Sequence, residues 1–128
     1  MNVVDSSAWL EYLSDGPGAG YFAAPLKDTG NLIVPTICIY EVFKAVFQQR
    51  GEDAALQTIA LMKQGISINL TDEFALQAAK ISLEHQIPMA DSIILATARA
   101  HRAVLWTQDK DFENIENVKY FPKQRKTS

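Results

Sequence analysis

The chain has 128 residues, 48% hydrophobic and 21% charged, which suits one globular domain over residues 1–128 and leaves little room for a second. Lys and Arg number 12 against 15 Asp and Glu, and with a pI near 5.3 no overall positive field draws the protein to nucleic acid or anionic lipid. No apolar run approaches the roughly 20 residues of a membrane span, and Met1-Asn2-Val3-Val4-Asp5 lacks the basic and apolar regions of a signal peptide, so the expected location is cytoplasmic.

Asn2-Val3-Val4-Asp5 reads as a short opening strand, with Ser6-Ser7 as caps for a helix through Ala8 to Leu13 that Gly16-Pro17-Gly18 stops. Tyr21 to Leu26 suggests a short second helix that Pro25 makes irregular. Leu32-Ile33-Val34 is wholly apolar, as in a strand covered on both faces, and Pro35-Thr36 opens a helix from Ile37 to Arg50 closed by Gly51. Its buried stripe is expected at Ile39, Val42, Phe43, Val46 and Phe47, with Glu41, Lys44 and Gln48 off its centre. Lone Cys38 excludes an intramolecular disulfide and multi-cysteine zinc sites, and reads as a small core residue.

A helix over residues 52–64 precedes Ile66-Ser67-Ile68-Asn69-Leu70, which alternates like a strand with one covered face. Thr71, Asp72 and Glu73 cap and charge the start of a helix to about His85. Residues 90–100 are apolar nearly all round, as a central helix against a sheet requires, and Ala103-Val104-Leu105-Trp106 and Val118-Lys119-Tyr120-Phe121 read as final strands. Short strands alternating with helices predict an α/β fold: a three-layer α/β/α sandwich around a mainly parallel sheet.

Ligands of open α/β sheets bind at the carboxyl ends of the strands. Asp5 ends the first strand, Glu41 lies about one turn into the helix after the second, and Thr107-Gln108-Asp109-Lys110-Asp111-Phe112 begins where the fourth strand stops. Asp91 has no obvious preceding strand but stands near the start of the apolar helix. Acids are favoured at helix starts for structural reasons alone, which suffices for Asp72 and Glu73. Carboxylates clustered without an Arg or Lys partner instead call for a cation, and oxygen donors without imidazole or thiolate select Mg²⁺ or Mn²⁺ over Zn²⁺. The acids by themselves leave both readings open.

In Val3-Val4-Asp5-Ser6-Ser7, Ile39-Tyr40-Glu41-Val42, the segment from Asp91 to Ala98, and the segment from Thr107 to Phe112, the chain resembles the PIN-domain ribonucleases, and among them the VapC-type toxins of toxin–antitoxin pairs. The resemblance spans essentially the whole chain. It departs at Ser6, where many members carry threonine, and at Ser92, where a small apolar residue is common. It implies a metal-dependent endoribonuclease whose catalytic and metal-binding acids are Asp5, Glu41, Asp91 and Asp109. Asp111 would be an auxiliary acid, and Ser6 and Thr107 polar supports. It further implies Mg²⁺ or Mn²⁺ as cofactor, products with a 5′-phosphate and a 3′-hydroxyl, an antitoxin partner and a homodimer. Lys110, between Asp109 and Asp111, is a candidate contact to substrate phosphate.

Lys119, Lys123, Arg125 and Lys126 make a basic C-terminal end, while Lys44, Arg50, Arg99 and Arg102 are spread over helices. His85 and His101 fall near helix ends in no zinc-binding spacing. Trp9, Tyr12, Leu13, Tyr21 and Phe22 suit either core packing or a partner surface. Two other functions compete. A phosphoryl-transfer α/β protein would require an Asp-x-Asp pair after the first strand or a phosphorylated Asp at a central strand end, which Asp72 imitates. A non-catalytic binding module would have lost site acids, and all four are present.

Overall fold

A computed structural model describes residues 1–125; Lys126 of the basic end lies outside the described residues. Five strands, β1 (Asn2–Val4), β2 (Leu32–Pro35), β3 (Ile66–Ile68), β4 (Val104–Thr107) and β5 (Val118–Tyr120), form one sheet in the order β3-β2-β1-β4-β5. Every pairing is parallel, with Val3 opposite Ile33 on one side and Leu105 on the other. The helices are α1 (Ser6–Leu13), α2 (Ala19–Lys27), α3 (Thr36–Arg50), α4 (Glu52–Met62), α5 (Asp72–His85) and α6 (Met89–Ala100). The chain leads outward from β1 to β2 and β3 and then back across it to β4, and parallel connections of the usual right hand then place helices on both faces of the sheet, in three layers. The order reverses at β1, so the crevice beyond β1 and β4 is the topological switch point where α/β sheets place ligands.

The core follows from the apolar strands. Val3, Val4, Ile33, Val34 and Leu105 are fully buried and pack with Trp9, Phe22, Met62, Ile94, Leu95 and Phe112. In α6 every residue from Ser92 to Ala98 is buried, as expected of a helix laid against the middle of a sheet. Trp9 and Phe22 are therefore core residues rather than a partner surface. Among the described residues no helix is long and apolar enough to cross a membrane.

Several local expectations are corrected. The cap of α1 is Asp5, whose Oδ1 accepts from the Ala8 N–H at 3.0 Å, because β1 ends at Val4 and leaves Asp5 as the extended residue before the first turn. Helix α2 continues through Pro25, which is buried and forgoes only one backbone bond. In α3 the buried line runs through Cys38 and Val42, while Phe47 is 45% exposed: the helix is rotated so that Cys38 lies beneath β1, its Sγ 3.9 Å from the Val4 carbonyl. Helix α4 ends at Met62. β3 is an exposed three-residue edge strand, and β5 stops at Tyr120: Phe121 still donates from its N–H to the Thr107 carbonyl, but Pro122 has no N–H with which to continue the ladder.

Candidate metal centre

Asp5 lies at the end of the central strand with 2% of its surface exposed. Both of its oxygens are occupied. Oδ1 accepts from the Ala8 N–H and from the Ser7 hydroxyl at 2.9 Å, and Oδ2 accepts from the Thr107 hydroxyl at 2.6 Å. Burial lifts its pKa from 3.8 to about 6, more than these bonds lower it, and the nearby Asp109 charge adds to the rise. Thr107, fully buried at the end of β4, also accepts from the Asp109 N–H at 2.9 Å, so one hydroxyl ties the first acid to the loop that carries the last.

Asp109 caps the short 3-10 turn over Lys110–Phe112, its Oδ1 accepting from the Asp111 N–H at 2.9 Å. That turn folds Asp111 back beside Asp109. Asp91, in the first turn of α6, completes a group of three in which one oxygen each from Asp91, Asp109 and Asp111 lies within 4.8 Å of the others. Glu41 reaches the same crevice from α3, and the Ser6 hydroxyl donates to its Oε1 at 2.7 Å. The consequence falls on Asp91: partial burial first, then the charges of Asp109, Asp5, Asp111 and Glu41, push its pKa to about 8. The same acids and burial drive the Cys38 thiol well up, which makes Cys38 an inert floor to the site.

All four acids read from the sequence thus meet at one edge, although α6 follows a turn rather than a strand. Asp111, read as auxiliary, stands in the tightest group; Asp5 and Glu41 border it. Among the described residues no Lys or Arg forms an ion pair with any of the five. Lys110 is exposed on the same turn, and Asp72 and Glu73 are exposed at the start of α5, away from any central strand end. That position removes the structural basis for Asp72 as a phosphorylated acid.

One acid escaped the sequence reading. Glu11 of α1 is 9% exposed, and its Oε2 accepts from the Gly18 N–H at 3.3 Å. A Cβ on Gly16 would come within 2.0 Å of Glu11 Oε1, so the Gly16-Pro17-Gly18 turn is fitted around this carboxylate. The signal was the glycine pair itself, which marks a close approach as well as a helix stop.

A parallel sheet whose switch point gathers five carboxylates, with no ion-paired Lys or Arg among the described residues, defines an acidic-site α/β domain. The chain belongs to the PIN-domain family, whose model matches residues 3–118. No curated protein sequence matches it. Among solved structures it is similar to a toxin–antitoxin complex from Klebsiella pneumoniae, at 24% identity over 92% of this chain and 95% of that one with a TM-score of 0.78. It is also similar to VapC20 of Mycobacterium tuberculosis, described as a sarcin–ricin loop cleaving toxin, at 16% identity over 91% and 95% with a TM-score of 0.75. A third similarity is to VapBC2 of Rickettsia felis bound to a promoter DNA fragment, at 14% identity over 96% and 98% with a TM-score of 0.72. At these identities the likeness to solved structures is one of fold.

Proposed function

We propose that the protein is a metal-dependent endoribonuclease and the toxin of a toxin–antitoxin pair. The observation that carries this reading is the group formed by Asp91, Asp109 and Asp111 with Asp5 and Glu41 beside it, an all-oxygen donor set with which, among the described residues, no Lys or Arg forms an ion pair. Such a set fits Mg²⁺ or Mn²⁺. Asp91, Asp109, Asp5 and Glu41 would hold the ion with Asp111 close by; when bound it would lower the pKa of a water and polarise the scissile phosphate.

The chain's own residues prepare that chemistry. Asp91 would give up its proton to a bound cation, since burial first and then the four neighbouring carboxylates hold its pKa up and a cation among them would offset those charges. Thr107, Ser7 and the Ala8 N–H hold the Asp5 carboxylate in one orientation, and Ser6 does the same for Glu41. Lys110 is free to meet a substrate phosphate on the rim. Hydrolysis then leaves a 5′-phosphate and a 3′-hydroxyl.

For the antitoxin, a groove of about 530 Å³ between α1, α3 and α4 runs up to Ser7 and Gln108 at the edge of the centre, with Leu10, Leu13, Val46 and Leu61 on its walls. A peptide laid there would end at the acids. For a homodimer, Tyr40, Leu76, Leu83 and Met89 offer exposed apolar side chains on α3, α5 and α6. Size-exclusion chromatography with light scattering should then return twice the 14.2 kDa of one chain.

The decisive experiment incubates the purified chain with total tRNA and rRNA in Mg²⁺, in Mn²⁺ and in chelator, beside Asp91→Asn. Discrete fragments that require both the cation and Asp91 are expected. A folded parent that neither cuts RNA nor gains thermal stability from either cation would refute the reading and favour a binding module.

A further inference from the structure

Beside the acids lies a group of aromatic and basic side chains that the metal centre does not use. Tyr21 of α2 packs against Trp106 of β4, with 5.2 Å between ring centroids, and against Phe121, the residue after β5. Lys119 of β5 sets its Nζ 4.4 Å from the centre of the Trp106 ring, and the Trp106 Nε1–H donates to Asn2 Oδ1 at 2.9 Å, which locks the indole from behind. Phe121 remains 37% exposed. The group is joined to the site through the backbone: the Phe121 N–H donates to the Thr107 carbonyl at 2.8 Å, and the Thr107 hydroxyl donates to Asp5. Two residues on, Lys123 lines the mouth of the α1, α3 and α4 groove together with Ser7 and Gln108.

We propose that Phe121 and Tyr21 form a base-stacking platform for single-stranded RNA entering the acidic centre, with Lys119 and Lys123 meeting its phosphates. This rests on the ribonuclease reading above. Five carboxylates repel a polyanion, so a substrate strand needs positive charge alongside them. Lys119 on β5 and Lys123 at the groove beside Ser7 and Gln108 supply it. An exposed aromatic face among lysines is the chemistry that holds unpaired bases, since every base presents a π-face to it and the contact does not depend on sequence. A duplex, whose bases are already stacked, has no use for such a platform. Two of the chain's 12 Lys and Arg are thus placed where a strand would need them.

The test uses Phe121→Ala, Phe121→Tyr and Lys119→Gln, each combined with Asp91→Asn so that bound RNA stays intact. Binding of a random-sequence single-stranded RNA oligomer and of a duplex of equal length is followed across a salt series. Phe121→Ala is expected to weaken single-strand binding by about fivefold to a hundredfold, and Phe121→Tyr to restore it. Lys119→Gln is expected to reduce the slope of log affinity against log salt by about 0.7. With Asp91 intact, the loss caused by Phe121→Ala should appear in KM rather than in kcat.

RNA binding by Phe121→Ala within about twofold of the parent, while the parent cuts RNA, would overturn the platform and leave the ribonuclease standing. A parent that neither binds nor cuts any RNA would remove both. If Phe121→Ala instead keeps its RNA binding and loses a co-purifying protein, the aromatic face belongs to that protein and the proposal fails. Melting temperatures of the exposed-site variants matching the parent exclude misfolding as the cause.

Discussion

Replacing Asp5 with Asn sets burial against charge at a single residue of nearly unchanged volume. Burial holds the Asp5 pKa at about 6 rather than 3.8, so the folded chain keeps a proton that the unfolded chain releases. Stability therefore falls as pH rises between those two values, and a shift of about two units corresponds to about 3 kcal/mol, fully expressed above about pH 7 when no cation is bound. Asn removes that penalty and keeps on its one oxygen the bonds from the Ala8 N–H and the Ser7 hydroxyl, but the amide nitrogen in place of Oδ2 cannot accept from the Thr107 hydroxyl. That bond is worth about 1 kcal/mol.

In chelator at about pH 8 the variant should thus be about 2 kcal/mol more stable than the parent, or about 8 °C higher in Tm. At about pH 5, where roughly half of the penalty is gone, the variant's lead should shrink to about 0.5 kcal/mol. The variant should cut no RNA at either pH, and added Mg²⁺ should stabilise the parent alone. Calorimetry or dye-monitored melting across this range, paired with single-turnover cleavage, reads all of these. A Tm difference that does not change with pH, or a variant that cuts like the parent, would refute the reasoning.

The same electrostatics predict that the Mg²⁺-induced rise in Tm grows from about pH 6 to about pH 8, because Asp91, with a pKa of about 8, must lose a proton on binding. Asp91→Asn should flatten that dependence, and an equal rise at both pH values would argue against Asp91 as a ligand. Thr107→Val deletes the hydroxyl that joins Asp5 to Asp109 and should lower the cleavage rate about tenfold to a hundredfold, with Thr107→Ser recovering most of it. Ser6→Ala frees Glu41 and should cost cleavage more than Tm, since Ser6 bonds the site acid and not the core. Gly65→Ala tests the fold instead: its Cβ would meet the Leu32 carbonyl and Val34 Cγ2 at 2.9 Å, so a loss of about 1–3 kcal/mol is expected in denaturant melts.

Much of this architecture was legible in the order of the residues. Apolar runs such as Leu32-Ile33-Val34 have one low-energy fate beside amphipathic helices, and strands alternating with helices admit few topologies, so the parallel sheet and the edge bearing Asp5, Glu41 and Asp109 followed from local pattern. The nearly all-apolar stretch from Ser92 to Ala98 likewise identified the helix buried against the sheet.

Tertiary structure decided what depends on rotation and approach. The stripe of α3 turned out to centre on Cys38 and Val42, because periodicity gives a helix's apolar face only to within a residue, whereas packing beneath β1 selects the small side chain. Asp5 displaced Ser6 and Ser7 as the cap of α1 once the end of β1 was known to be Val4. Asp111 entered the innermost group of acids only through the 3-10 turn after Asp109, and Glu11 became buried only because Gly16 and Gly18 close around it. The raised pKa values of Asp5 and Asp91 belong to the same category, since each sums burial with charges that lie far apart in the chain and adjacent in space.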